Sequence, residues 1–232
     1  MILATLVAKS GREGVFSRRF DDWMVDGLSL AMHFVAIPIL QVLIVFRLLH
    51  AITPNSEKCV QMGWGLSFAA YALLDYAWYW NHRAFHAETK FWNLHQIHHS
   101  PKRLDVFVSS RNSLWSPFFM VYFWVVPVFL YLSRGPVPFL TFSAVGLVVN
   151  FWGHTSLNFP RGSAIGRGLS VFLIQPEDHH WHHSATNFNC NFGTVFNFWD
   201  RIHGTWYHPG AAPEELGFQL DMSLARKLFF PV

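Results

Sequence analysis

The residues in this chain best suited to chemistry are its histidines. They read His82-Arg-Ala-Phe-His86, His95-Gln-Ile-His98-His99 and His179-His180-Trp-His182-His183, with His154 alone between the second and third groups. Residues three or four apart share a helix face, so each group can aim two or three imidazoles at one point. Imidazole suits iron, zinc, copper and nickel. The candidates His82, His86, His95, His98, His99, His154, His179, His182 and His183 are too many for one ion. Two metals in an all-histidine cage is the chemistry the spacing predicts. His180 points off the face shared by His179, His182 and His183, and is expected to be a spectator or to support a ligand.

A solvated histidine-rich surface is the bland alternative. It is disfavoured because the His-x-x-His-His spacing occurs twice. His82 and His86 alone would say little. Metal-bound imidazole usually gives its other N–H to a carboxylate or carbonyl, and Asp75 lies seven residues before His82 on the same face. Asp75 is therefore either such an acceptor or the partner of an arginine or polar pocket. His154 either completes a metal's coordination or bonds a backbone carbonyl. His33 and His50 read as structural, and nothing in the spacing of His203 or His208 brings them to the site.

The elements that must position these groups read as membrane helices. Of the 232 residues, 52% are hydrophobic and 13% charged, against about a quarter charged in a soluble domain. Four apolar runs approach the roughly 20 helical residues that cross a bilayer: about Gly27 to Leu49, Val60 to Trp80, Leu114 to Leu132 and Val137 to Trp152. Short connections at Thr53–Ser56 and Ser133–Pro136 join them into two hairpins. The fold expected is thus all-α and integral to the membrane, about four transmembrane helices with a helical cap carrying the histidine clusters. No repeat or second domain interrupts residues 1–232.

All but three of the 17 Lys and Arg residues fall in the N-terminal arm, the 83–111 connection and the segment after Leu157. The positive-inside rule puts these segments, and every histidine cluster, in the cytoplasm. The net charge of +3 comes with no basic tract, so nucleic acid is not an expected partner. Cys59 and Cys190 lack a metal or redox spacing and read as quiet thiols. Met1 to Ala8 is too short for a cleavable signal, and Lys9 to Arg19 interrupts it. There is no His-Glu-x-x-His and no phosphate loop. Only Glu177-Asp-His-His180 fits a Glu-x-x-His motif, which excludes a carboxylate-type di-iron bundle. His208-Pro-Gly-Ala departs from the haem-binding tetrapeptide of cytochrome b5 in its last residue.

Several stretches together resemble the fatty acid hydroxylase / sterol desaturase superfamily. They are Asp75-Tyr-Ala-Trp-Tyr-Trp-Asn-His82-Arg-Ala-Phe-His86, Trp92-Asn-Leu-His95-Gln-Ile-His98-His99-Ser100, Gly153-His154-Thr155, His179-His-Trp-His182-His183-Ser184, and Asn191 through Thr205. They span residues 75–205 in the family's order. The resemblance implies two iron ions on the histidine ligands, with O2 and two electrons used to hydroxylate a lipid, an acyl chain or a sterol. It equally allows desaturation. It also implies a separate electron donor of cytochrome b5, ferredoxin/reductase or pterin type, and Asp75, His180, Asn191 and Asp200 as residues supporting the ligands. The membrane would be a bacterial inner membrane, or the endoplasmic reticulum in a eukaryote.

The region of the third cluster is also similar to alkylglycerol monooxygenases, which use a pterin, although the chain is short for their full membrane portion. The chain departs from common members at Arg111-Asn-Ser, where Arg-x-His is frequent, and at Ser156, His180 and His203. These departures bear on substrate identity more than on metal binding. Outside the enzymes, a histidine-rich membrane metal transporter or sensor is the alternative. It would place its ligands near the bilayer midplane, whereas these clusters follow the ends of the runs.

Overall fold

A computed structural model describes residues 16–231. Helix α1 runs from Phe20 to Ile52 and holds π-helical turns at Met32–Ala36 and Gln41–Phe46. These turns flank Pro38, whose missing N–H and bulky ring interrupt the i→i−4 ladder. Gln41, in the second π turn, donates through its side chain to the carbonyls of Tyr122 and Phe123 at 3.1 and 3.3 Å. Helices α2 (Trp64–Ala87) and α3 (Thr89–His99) are separated by one extended residue, Glu88. That break turns α3 back, so His82 and His86 meet His95 and His99.

Helices α4 (Val121–Leu132) and α5 (Val137–Gly153) follow, and His154 caps α5. Then come α6 (Ala164–Phe172), α7 (Pro176–His182), α8 (Phe198–Ile202) and α9 (Leu224–Phe229). The short α7 starts firmly. Pro176 stands in its first turn and Gln175 and Asp178 form a capping box, a pairing that satisfies orphan N–H groups. Among the described residues there is no strand, only isolated bridges such as Leu173 to Phe196.

The all-helical expectation agrees with this architecture, but the four runs are not equal helices. Among the described residues only α1 is long and apolar enough to cross a membrane. Helix α2 has 24 residues without the same apolarity. The run from Leu114 to Leu132 is divided, because Met120 is extended and α4 keeps 12 residues, about 18 Å of helix against a hydrocarbon layer of about 30 Å. Asn81 of α2 bridges the division. Its Oδ1 accepts from the Val121 amide and its Nδ2 donates to the Phe119 carbonyl, both at 3.1 Å.

One core cluster joins α2 to α5 through Tyr71, Leu74, Phe139 and Val149. Gly146 permits that close approach, since a Cβ there would lie 1.6 Å from the Tyr71 hydroxyl. A second cluster packs Ile37 and Val45 of α1 on Phe123 of α4.

Candidate metal centre

The nine histidines singled out in the sequence converge on two points. His82, His86, His95, His99 and His182 form one group, and His98, His154, His179 and His183 form the other; within each, the nitrogens offered lie within 4.8 Å of one another. The division cuts across the sequence clusters. His95 and His99 join the group of five while His98 joins the group of four, and His182 parts from His179 and His183 in the same way. Each cluster thus aims two of its imidazoles at one point, as its spacing allows, while the second and third clusters each send their remaining imidazole to the other point. Residues four apart on a helix are offset by only about 40° around the axis, whereas adjacent residues diverge by about 100°, so His98 parts from His99 and His182 from His183.

The outward nitrogens show what the inward ones can do. Nδ1 of His82, His98, His154 and His182 faces the carbonyl oxygen of Phe192 at 2.7 Å, Arg111 at 3.2 Å, Asn150 at 2.9 Å and Cys190 at 2.8 Å, respectively. A carbonyl only accepts, so each Nδ1 carries the proton and donates it. Each Nε2 is then a bare lone pair.

Those lone pairs oppose one another: His82 to His182 at 3.1 Å and His98 to His154 at 3.4 Å. Nε2 of His95 also meets Nε2 of His82 at 3.1 Å and that of His99 at 3.2 Å, and His179 meets His154 at 3.0 Å. Two imidazole nitrogens bound at right angles to one ion, each at about 2.1 Å, lie about 3.0 Å apart. The buried His86 Nε2 and both nitrogens of His183 have no hydrogen-bond partner. Buried polar atoms rarely go unpaired. The donor set fits two cations, one in each group.

The electrostatics agree. Burial, the largest cause in every case, holds the imidazoles below their usual pKa, His82 and His154 at about 4. Neighbouring imidazoles push His86, His95, His98, His99, His179, His182 and His183 further down. Neutral imidazole is the form that ligates metal.

The supporting residues are placed differently from one another. Asp200 accepts from the Phe192 and Gly193 amides at 2.7 and 2.8 Å and from the Thr205 hydroxyl at 2.7 Å, bracing the loop whose Phe192 carbonyl holds His82. Asn191, in the left-handed conformation at φ 52°, donates to the Asp178 and Tyr207 carbonyls, both at 2.8 Å, and so ties that loop to α7. His180 faces the Thr155 carbonyl at 3.1 Å through Nε2 and belongs to neither group.

Asp75 touches no imidazole. Its Oδ2 accepts from the Trp199 indole at 2.9 Å and the Phe196 amide at 3.4 Å. Seven residues of helix put it about 10 Å along the axis from His82, out of reach of a ligand nitrogen. His203 lies against Tyr76, Tyr79 and Trp80, and His208 beside Asp178.

Sequence reasoning missed the outer acceptors. Backbone carbonyls have no residue signature. Asn112 and Asn189, whose Oδ1 atoms stand 3.4 Å from His95 Nδ1 and 3.3 Å from His86 Nδ1, had only their nearness to the histidine motifs as a signal.

Comparison with known proteins gives the setting of this cage. The family model described as fatty acid hydroxylase matches residues 67–205. The chain is 29% identical over 140 residues to ornithine lipid hydroxylase OlsE of Rhizobium tropici, covering 59% of this chain and 40% of the relative. It is 29% identical over 145 residues to alkylglycerol monooxygenase of Danio rerio, covering 62% and 30%. It is 28% identical over 142 residues to cholesterol 25-hydroxylase of Homo sapiens, covering 60% and 47%. The matched segments span less than half the length of each of these relatives. No solved structure gives a significant match. The chain belongs to the fatty acid hydroxylase family.

Proposed function

We propose that this fatty acid hydroxylase family member hydroxylates a C–H bond of a membrane lipid, using two iron ions held by its nine clustered histidines. The observation that carries the reading is the sorting of those imidazoles into groups of five and four, with bare nitrogens opposed at ligand spacing. Five donors exceed the four of a structural zinc site. Iron bound there would supply the activation of O2. The reaction balances as one C–H bond, one O2, two electrons and two protons giving one alcohol and one water.

The chain's own part is positional. The carbonyls of Phe192, Cys190, Arg111 and Asn150 keep four Nδ1 atoms protonated, which fixes the ring orientation and leaves each Nε2 available. His82, His95, His98, His99, His154, His179, His182 and His183 are buried, so bulk water is kept from the reacting centre. The exposed apolar side chains Val35, Ile39, Val42 and Leu48 of α1 and Val145 and Val148 of α5 support a membrane setting, with the cage on the Lys- and Arg-rich cytoplasmic side.

These relatives are named for hydroxylation and monooxygenation of lipids. They favour oxygen insertion over desaturation, and an acyl chain, a sterol or an ether lipid as the substrate class. The test is metal analysis of the protein purified in mild detergent, followed by incubation with lipid extracts under 18O2 and mass spectrometry. Two irons per chain and a lipid product 18 Da heavier than its parent are expected. No iron after anaerobic Fe(II) reconstitution would sink the reading, and zinc in its place would favour transport or sensing.

A further inference from the structure

We infer that helix α6 lies within the membrane leaflet on the histidine side, its outward apolar face buried among lipid acyl chains. That placement rests on the membrane setting proposed for α1 and α5. Part of the helical cap then sits in the bilayer rather than above it.

Helix α6 is amphipathic, and its apolar side is turned away from the protein. At about 100° per residue, Ile165, Gly168, Leu169 and Phe172 fall on one side and Gly166 and Ser170 on the other. The buried residue of the helix is Gly166. A Cβ there would lie 2.2 Å from the Pro160 carbonyl oxygen, so α6 packs inward through its smallest residue. Ile165 and Phe172 are each 61% exposed and Val171 56%. A surface helix of a globular protein buries its apolar stripe. A stripe that faces outward suits a helix lying in a lipid interface. The nine residues of α6 make about 14 Å of helix, too short to cross a hydrocarbon layer of about 30 Å but enough to lie in one leaflet.

The level of α6 points to the same occupant. Leu173, directly after it, bridges to Phe196, whose ring lies 6.3 Å from those of Phe68 and Tyr71 on α2. Phe68 also meets Phe142 of α5 at 5.5 Å. The C-terminal end of α6 therefore stands beside the apolar stretch of α2, level with Tyr71, which is about 16 Å along that helix from His82.

The backbone there is prepared for hydrocarbon. The last carbonyls of a helix have no partner within it, and lipid offers none. Here Asn197, fully buried, serves three of them. Its Nδ2 donates to the Ser170 and Leu173 carbonyls at 2.8 and 3.0 Å, and its amide to the Phe172 carbonyl at 3.0 Å. Arg167 and Arg201 are exposed and pair with no carboxylate among the described residues, while Glu177 and Asp178 are taken by Arg161. Arginines on such a rim reach the headgroup layer while their stems stay in the apolar zone. Gln175, at the start of α7, donates to the Gly166 carbonyl at 2.9 Å, so the lipid around α6 also fixes the height of the helix that carries His179 and His182.

The test places a nitrobenzoxadiazole label on single cysteines of the full chain, reconstituted without metal in lipid nanodiscs. The exposed Cys59 is first replaced by serine, and Cys190 is buried. Ile165→Cys and Phe172→Cys report on α6, Val42→Cys on the apolar face of α1, and Glu214→Cys on the polar surface. Doxyl-labelled lipid should quench both α6 labels as strongly as the Val42→Cys label, with blue-shifted emission, while iodide quenches only the Glu214→Cys label. Circular dichroism shows whether each variant keeps its helices, and either α6 position carries the test if the other variant does not fold.

Iodide quenching of the α6 labels while the Val42→Cys label stays with lipid overturns the proposal and leaves the membrane setting intact. Iodide quenching at Val42→Cys as well overturns that setting and the proposal with it. Protection of the α6 labels from both quenchers, with cross-linking between Phe172→Cys chains, would give this face to a second copy and overturn the proposal too.

Discussion

His98 is held by the backbone of Arg111, and Arg111 is held in turn by α1. The Arg111 carbonyl accepts from His98 Nδ1 at 3.2 Å, while the Arg111 guanidinium holds Asp26 through Nε at 2.5 Å and Nη2 at 3.0 Å. Asp26 is fully buried on α1. Ser29, one turn further along, exchanges hydrogen bonds with the Asn112 backbone at 3.0 and 3.3 Å. Helix α1 thereby clamps the dipeptide that serves one ligand of each histidine group, His98 through Arg111 and His95 through Asn112.

Breaking that clamp should cost stability and metal together. Asp26→Ala removes the buried carboxylate that Arg18 and Arg111 share, leaving Arg18 only Asp105 and Arg111 only the partly exposed Asp22, a change that costs up to about 3–5 kcal/mol. The expected outcome is a lower Tm by thermal unfolding and faster loss of iron to a chelator. Lys102→Ala, on the exposed loop, should change neither.

The sorting of adjacent histidines makes a sharper test. His182→Ala removes a donor from the group of five and His183→Ala one from the group of four. If each group holds one iron, as proposed, each should lower the iron content from about two towards one per chain, because ligand loss weakens its own site most. His180→Ala should keep both ions, as its ring bonds the Thr155 carbonyl. Plasma mass spectrometry of the three proteins reads the result, and loss of iron from His180→Ala would contradict the assignment.

Gly193 is the tight point of the loop that holds His82. A Cβ there would lie 2.5 Å from the Phe196 carbonyl oxygen and 2.8 Å from Asp200 Oδ2. Gly193→Ala should therefore displace the Asp200 carboxylate or the loop, at about 1–3 kcal/mol of overpacking. The expected readouts are a lower Tm and weaker iron retention, because the Phe192 carbonyl moves with the loop.

The metal-free chain should lose stability in acid. Folded-state pKa values of the buried histidines lie below the ordinary 6.5, those of His82 and His154 at about 4. The unfolded chain therefore binds more protons in that interval, and stability falls as pH drops from about 6.5 towards 4. Helical circular dichroism of metal-free protein across pH 8 to 4 should show the loss beginning near 6.5. A transition confined below pH 4, where carboxylates titrate, would count against neutral buried imidazoles as its source.

Much of the site was legible in the order of residues. Helix periodicity brings histidines three and four apart towards one side, so the candidate ligands could be named from spacing alone, and the apolar runs marked where helices lie. Periodicity is local, however, and the rest was not. Which histidines share a point depends on how α2, α3, α5 and α7 converge, which is why adjacent His98 and His99 part company. Asp75 illustrates the same limit: it shares a face with His82, but the axial rise between them sends it to Trp199. Met120 divides an apolar run that composition reads as continuous, because Asn81 from another helix satisfies the exposed backbone there. The sequence determined the candidate donors and the helices that bear them. The tertiary structure decided their partition and the carbonyls that orient them, since a backbone acceptor is defined by position in space and has no side chain to announce it.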